Sequence, residues 1–184
     1  MKNIVLILSI LLQLSLNAQE IKTPEMSPLS YQIGKWLASD VQTDKDGNRL
    51  QFGYELQWFD QKQSIAKMTI TRIYENGKVE LLWEGFKNWD AQEGKIMYSG
   101  FSRIGRTAAG YLEVKNKNEI KTKSSGVSQN GKKVFIEDIA TKIDDNHYTS
   151  ITQIKMEGQE EWRKLNTDHW VKVEKQIFND KLTQ

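Results

Sequence analysis

The chain has 184 residues and no cysteine; 38% are hydrophobic, 27% are charged, and the formal net charge is +2. Both charge signs are interspersed, so no basic stripe marks a nucleic-acid or membrane footprint. The missing cysteines exclude a disulfide scaffold and a lipoprotein attached through an N-terminal Cys.

In chain order, the first feature is an export signal. Lys2 supplies a minimal positive start, and Ile4 to Leu16 is almost unbroken Ile, Leu and Val, interrupted by Ser9, Gln13 and Ser15. A spanning helix needs roughly 20 apolar residues, and this run is shorter. Leu16-Asn17-Ala18 then places a small residue at a cleavage point, followed by polar Gln19 and Glu20. Residues 1–18 are therefore expected to be a signal peptide, with an uncleaved anchor as the alternative. Residues 19–184 are expected to form one exported domain, periplasmic or secreted, with no transmembrane segment.

Pro24 and Pro28 follow, and Ser27-Pro28 can cap one short helical turn through Tyr31. From there to Lys175 the chain is punctuated by turn residues. Asp44-Lys45-Asp46-Gly47-Asn48, Asn76-Gly77, Gln92-Glu93-Gly94, Asn116-Lys117-Asn118, Asn130-Gly131, Asp144-Asp145-Asn146 and Glu157-Gly158-Gln159 all suit hairpins. The segments between them alternate. Leu50, Phe52, Tyr54, Leu56 and Trp58 share one face; Ala66, Met68 and Ile70 share another; Val79, Leu81 and Trp83 share a third. Lys115, Lys117, Lys121 and Lys123 are diluted by Glu113 and Glu119 and read as a solvated hairpin. The pattern predicts an all-β antiparallel meander of about nine or ten strands, closed into an up-and-down barrel because closure removes exposed edges. A two-sheet sandwich is the competitor, but it requires long crossover connections that are not seen.

Leu29 followed by Ile33-Gly34-Lys35-Trp36 resembles the opening of lipocalin and other calycin barrels. That resemblance implies a short helical turn leading into the first strand, with Trp36 plugging the barrel floor. It also implies an Arg of the last strand over that Trp, where this chain offers Lys172 and Lys175 after Trp170, with Arg163 much earlier. Gly85-Phe86-Lys87-Asn88-Trp89-Asp90, continuing through Gly94 to Tyr98-Ser99-Gly100-Phe101, resembles secreted bacterial lipocalin-like proteins of unknown function. A more distant likeness is to the nitrobindin-type haem barrels, which use a late-strand His as iron ligand. His169 in Asp168-His169-Trp170-Val171 occupies that region, on the face shared with Leu165, Val171 and Val173. It is either such a ligand facing inward or a half-buried strand-end His held by a neighbour. The residues themselves require no cofactor, and haem enters only through this likeness.

Other chemistry is not supported. Ser102 lies between glycines at the wrong spacing for a nucleophile elbow. Gly47 comes too early for a calcium loop, and His147 and His169 lack partners for zinc. Glu137 and Asp138 are adjacent on a strand and point to opposite faces. What remains is the interior. Phe52, Tyr54, Trp58, Met68 and Trp83 are expected to wall a lumen above Trp36, with Arg72 nearer the rim and His169 on a late strand. The small and polar Thr122, Ser124 and Gly126 face them either as a cavity or as a poorly packed edge. Three functions stay open: a binder of a small apolar or amphipathic molecule, a barrel enzyme acting on one, or an interaction protein using Trp89, Trp162 or Phe178, each of which can instead plug a barrel end. The mature chain is expected to begin near Gln19. N-terminal sequencing of the exported protein checks this, and an intact Met1 in the membrane fraction would refute it.

Overall fold

Short turns between long alternating segments force neighbours in sequence to become neighbours in the sheet. At the two Asn-Gly turns, Gly77 and Gly131 take φ of 83° and 79°, a conformation that a side chain would strain. The computed structural model describes residues 23–128 and 130–174, so the expected signal peptide, Lys175 and Phe178 lie outside the described residues. A 3-10 helix, η1 (Pro24–Gln32), precedes β1 (Gly34–Ala38) and the short β2 (Gln42–Thr43). There follow β3 (Arg49–Trp58), β4 (Ile65–Tyr74), β5 (Val79–Asp90), β6 (Lys95–Ser102) and β7 (Thr107–Asn116). The last four are β8 (Glu119–Val127), β9 (Lys133–Lys142), β10 (His147–Met156) and β11 (Arg163–Val173).

Every pairing is antiparallel, and strands from β3 to β11 follow sequence order. β1 then pairs on both sides, with β11 (Trp36 opposite Lys172) and with β3 (Trp36 opposite Tyr54). This closes a ten-stranded antiparallel up-and-down barrel, with β2 as a small addition on β3. The all-β meander and its closure are as the sequence implies. Among the described residues no helix is long and apolar enough to cross a membrane.

The floor is built from η1 and the start of β1. Met26, Leu29 and Trp36 are fully buried there, with Leu56 and Ile120 beside them. Gln32 ends η1, and its carbonyl accepts a 2.9 Å hydrogen bond from Trp36 Nε1. Lys172, the register partner of Trp36, holds its Nζ 5.3 Å from the ring centroid. A lysine thus supplies the cation over the floor Trp.

One irregularity changes which side chains face inward. The β4–β5 pairing slips after Ile70, so that Ile70 opposes Trp83 but Thr71 opposes Leu81. The extra residue is Leu82, which lines the lumen. The shared face expected for Val79, Leu81 and Trp83 is therefore corrected: Leu81 turns to solvent and Val79 packs in a separate cluster with Leu37 and Ile73. A bulge resets alternation, which sequence periodicity alone does not reveal.

Trp36→Ala should lower unfolding stability by roughly 3–5 kcal/mol, because the floor cannot collapse around the lost ring. Trp162→Ala, at a partly exposed position, should change it by less than about 1 kcal/mol. Urea unfolding of both variants tests the contrast, and equal losses would show that Trp36 is not the floor's main packing element.

Candidate functional site: the barrel lumen

Above the floor the barrel encloses a cavity of about 380 Å³. This lies within the range typical of small-molecule sites. β3 contributes Phe52 and Tyr54, β4 contributes Met68 and Ile70, and β5 contributes Leu82 and Trp83. The far wall is smaller and more polar. Thr122 and Ser124 of β8 face it, beside Ile136 and Asp138 of β9, and Gly110 on β7 pairs with Ser124. Trp83 Nε1 donates a 2.6 Å hydrogen bond to the Tyr98 hydroxyl. Gly100 makes this possible, since a Cβ there would collide with both groups.

The lumen also holds charge. Lys87 of β5 is 5% exposed, and its Nζ donates to Gln32 Oε1 at 3.2 Å. Burial lowers its pKa to about 8, opposed by the nearby Asp138 carboxylate. Asp138 accepts a 2.9 Å hydrogen bond from Thr152 Oγ1, and burial raises its pKa against the pull of that bond and of Lys87. Asp168 of β11 is 8% exposed and accepts a hydrogen bond from Asn166 Nδ2. Burial first, then the charges of Asp138 and Asp40, push its pKa up to about 6, while His169 and Asn166 act in the other direction.

Aromatic hydroxyls complete the interior. Tyr31 donates to the Ala140 carbonyl at 3.2 Å and accepts from Gln32 Nε2, and burial pushes its pKa to about 12. Burial also raises the phenols of Tyr54, Tyr98 and Tyr148, with the Asp138 charge adding to each. Tyr148 lies between ring partners, edge-on to Trp36 at 4.7 Å and stacked on Trp170 at 6.0 Å. Trp170 Nε1 donates to Ser150 Oγ at 2.9 Å. The hydroxyls of Tyr54 and Tyr148 have no hydrogen-bond partner among the described residues.

Of the residues expected from sequence, Phe52, Tyr54, Met68 and Trp83 line the cavity. Trp36 lies beneath it as the floor, and Trp58 packs against the same core without lining the cavity. Arg72 also falls outside the lining and reaches Glu80 at 3.9 Å, in a group where Glu80 also meets Lys78 and Arg103. His169 is corrected outright. It is exposed on the outer face, whereas its neighbours Asp168 and Trp170 are buried and line the lumen. Its side chain therefore lies on the face opposite the lumen. Among the described residues no three His, Cys, Asp or Glu side chains come together as metal ligands.

Sequence reasoning missed Lys87, Asp138, Asp168, Tyr148 and Trp170 as lumen groups. For β11 the signal was present: Asn166, Asp168 and Trp170 alternate as cleanly as Leu165, His169 and Val171. Apolarity points the set of Leu165, His169 and Val171 inward, and the polar lumen reverses that rule.

Asp168 gives the site a pH signature. Below about pH 4 its carboxyl is protonated in folded and unfolded chains alike, so burial carries no ionisation cost. As pH rises through about 6 the folded state must ionise a buried group, and stability is lost across that window. Asp168→Asn removes the cost. The stability of the variant relative to wild type should rise by up to about 3 kcal/mol between pH 4 and 7, and a difference that stays flat with pH would refute it.

No family model and no curated protein matches this sequence. Among solved structures, the chain is similar to Rv2717c from M. tuberculosis, with 12% identity and a TM-score of 0.53 over 83% of this chain and 99% of that one. It also aligns with EF1p2_mFAP2b bound to DFHBI, at 11% identity and a TM-score of 0.40 over 81% of this chain and 99% of that one. At such identities the first likeness speaks for the fold alone. That fold, a closed antiparallel barrel opening on Gly34-Lys35-Trp36, fits a calycin-like architecture.

Proposed function

We propose that this chain is an exported barrel that binds a small, largely apolar or amphipathic molecule in its lumen. The observation that carries the reading is the cavity of about 380 Å³. Its aromatic and aliphatic wall and few convergent polar groups have the make-up of a ligand pocket rather than of a filled core. Export rests on residues 1–18 and is part of the proposal. A second reading, a barrel enzyme acting on such a molecule, draws support from the convergence of Lys87, Asp138 and Asp168 in the lumen. Chemical alteration of a bound molecule, rather than its recovery intact, would favour that reading.

Neutral N-phenyl-1-naphthylamine, whose fluorescence rises in apolar surroundings, tests the binding reading. Ser124→Phe places a ring in the cavity, and Phe101→Ser removes an exposed ring from the outer face. The first should weaken probe binding by at least about tenfold while shifting the thermal midpoint by less than about 5 °C. The second should leave binding unchanged. Equal binding in wild type and Ser124→Phe would place the probe outside the barrel and overturn the reading.

A further inference from the structure

The charges and hydroxyls inside the barrel favour one class of ligand. Among the described residues the cavity lining carries two carboxylates, Asp138 and Asp168, against one ammonium, Lys87. Lys87 is already met by Gln32 and lies within electrostatic reach of Asp138. Among the described residues Asp168 accepts a side-chain hydrogen bond from Asn166 alone, and its strongest charged neighbour is another carboxylate. Register puts both acids on the same inner face: Asp138 opposes Thr152, Thr152 opposes Asn166, and Asp168 lies two residues further along β11. A buried carboxylate without a cation is costly unless something supplies one.

The hydroxyls provide an independent indication. Tyr54 and Tyr148 are 6% and 3% exposed, line the cavity, and hydrogen-bond to nothing among the described residues. These hydroxyls open on the cavity, where each oxygen can accept from a ligand donor. Tyr148 is in electrostatic contact with both Asp138 and Asp168. Indole and phenol faces on the surrounding strands suit a cation as well as an apolar body.

We propose, on the reading that the lumen is a binding site, that its ligand is a small organic cation. Its ammonium is received by Asp168 and Asp138 with Tyr148 and Tyr54 as hydroxyl acceptors, and its apolar part lies against Phe52, Met68 and Trp83. An ammonium offers three donors, and charge-assisted bonds to carboxylate and phenol would satisfy them together. An anionic ligand of the same shape would meet two like charges and one compensated lysine.

Three molecules sharing an indole skeleton test this by calorimetry at neutral pH: tryptamine, uncharged tryptophol and anionic indole-3-propionate, with N-phenyl-1-naphthylamine as reference probe. Tryptamine should bind at least about tenfold more tightly than tryptophol, with indole-3-propionate weakest. Asp168→Asn should bring the tryptamine-to-tryptophol ratio close to one. Tyr148→Phe, which keeps the ring and its packing, should reduce that ratio by about threefold to tenfold; it carries the test if Asp168→Asn does not fold. Equal affinity for tryptamine and tryptophol, or tightest binding of indole-3-propionate, while the reference probe still binds inside, overturns the cation inference and leaves the lumen reading standing. Loss of reference-probe binding from the lumen overturns the lumen reading and this inference with it.

Discussion

The interior is organised around a lysine that cannot reach bulk water. Lys87 sits on the inner face of β5, almost fully buried, and its ammonium demands compensation there. Gln32 provides it from below and Asp138 from the side. Gln32 can do so only because η1 ends under the barrel, where its backbone also receives the Trp36 indole and its amide reaches the Tyr31 hydroxyl. One glutamine therefore connects the plug, the floor tryptophan and the charge in the lumen. Removing the lysine would take from Asp138 a charge that favours its ionised form, and Asp138 in turn opposes ionisation of Asp168, so the three groups must be understood together.

That arrangement presupposes closure. β1 has five residues and serves as an edge partner twice over, to β11 and to β3. Without it, η1 would have no floor to cover and the acids would face water. Closure also explains why the outer surface can carry paired charges such as Lys35 with Glu55 and Lys121 with Glu137, while the inner face holds most of the bulk. Period-two alternation sends each residue type to its own side, and turns keep the register.

The fold was legible because turn chemistry and alternation agree over most of the chain. The hairpin at Asn76-Gly77 and the inward set Phe52, Tyr54 and Met68 could be read directly, and the floor role of Trp36 followed from the calycin resemblance. The small residues Thr122 and Ser124 do face the cavity, one of the two readings the sequence left open. The site was less legible for two physical reasons. The bulge at Leu82 breaks the parity of β5, so Val79 and Leu81 part company with Trp83. On β11 the lumen face carries Asn166 and Asp168, and an apolar outer face led to the wrong side for His169. Polarity locates the core only where the core is apolar, and here it holds two acids and a base. Lys87 and Asp138 have no partner nearby in sequence; their meeting depends on a barrel that brings β5 and β9 within reach.

The double pairing of β1 also governs how the chain can reach this state. Each hairpin from β3 to β11 forms from local segments, yet Trp36 cannot meet Lys172 until the final strand exists. The last contact to form joins the two ends of the sheet and closes the longest loop in the fold, which places the entropic cost late and makes closure slow relative to hairpin growth. Until then the growing sheet has two free edges and a carboxylate-lined inner face open to water. A chain cut short before β11 would retain most of its hairpins and still lack an inside.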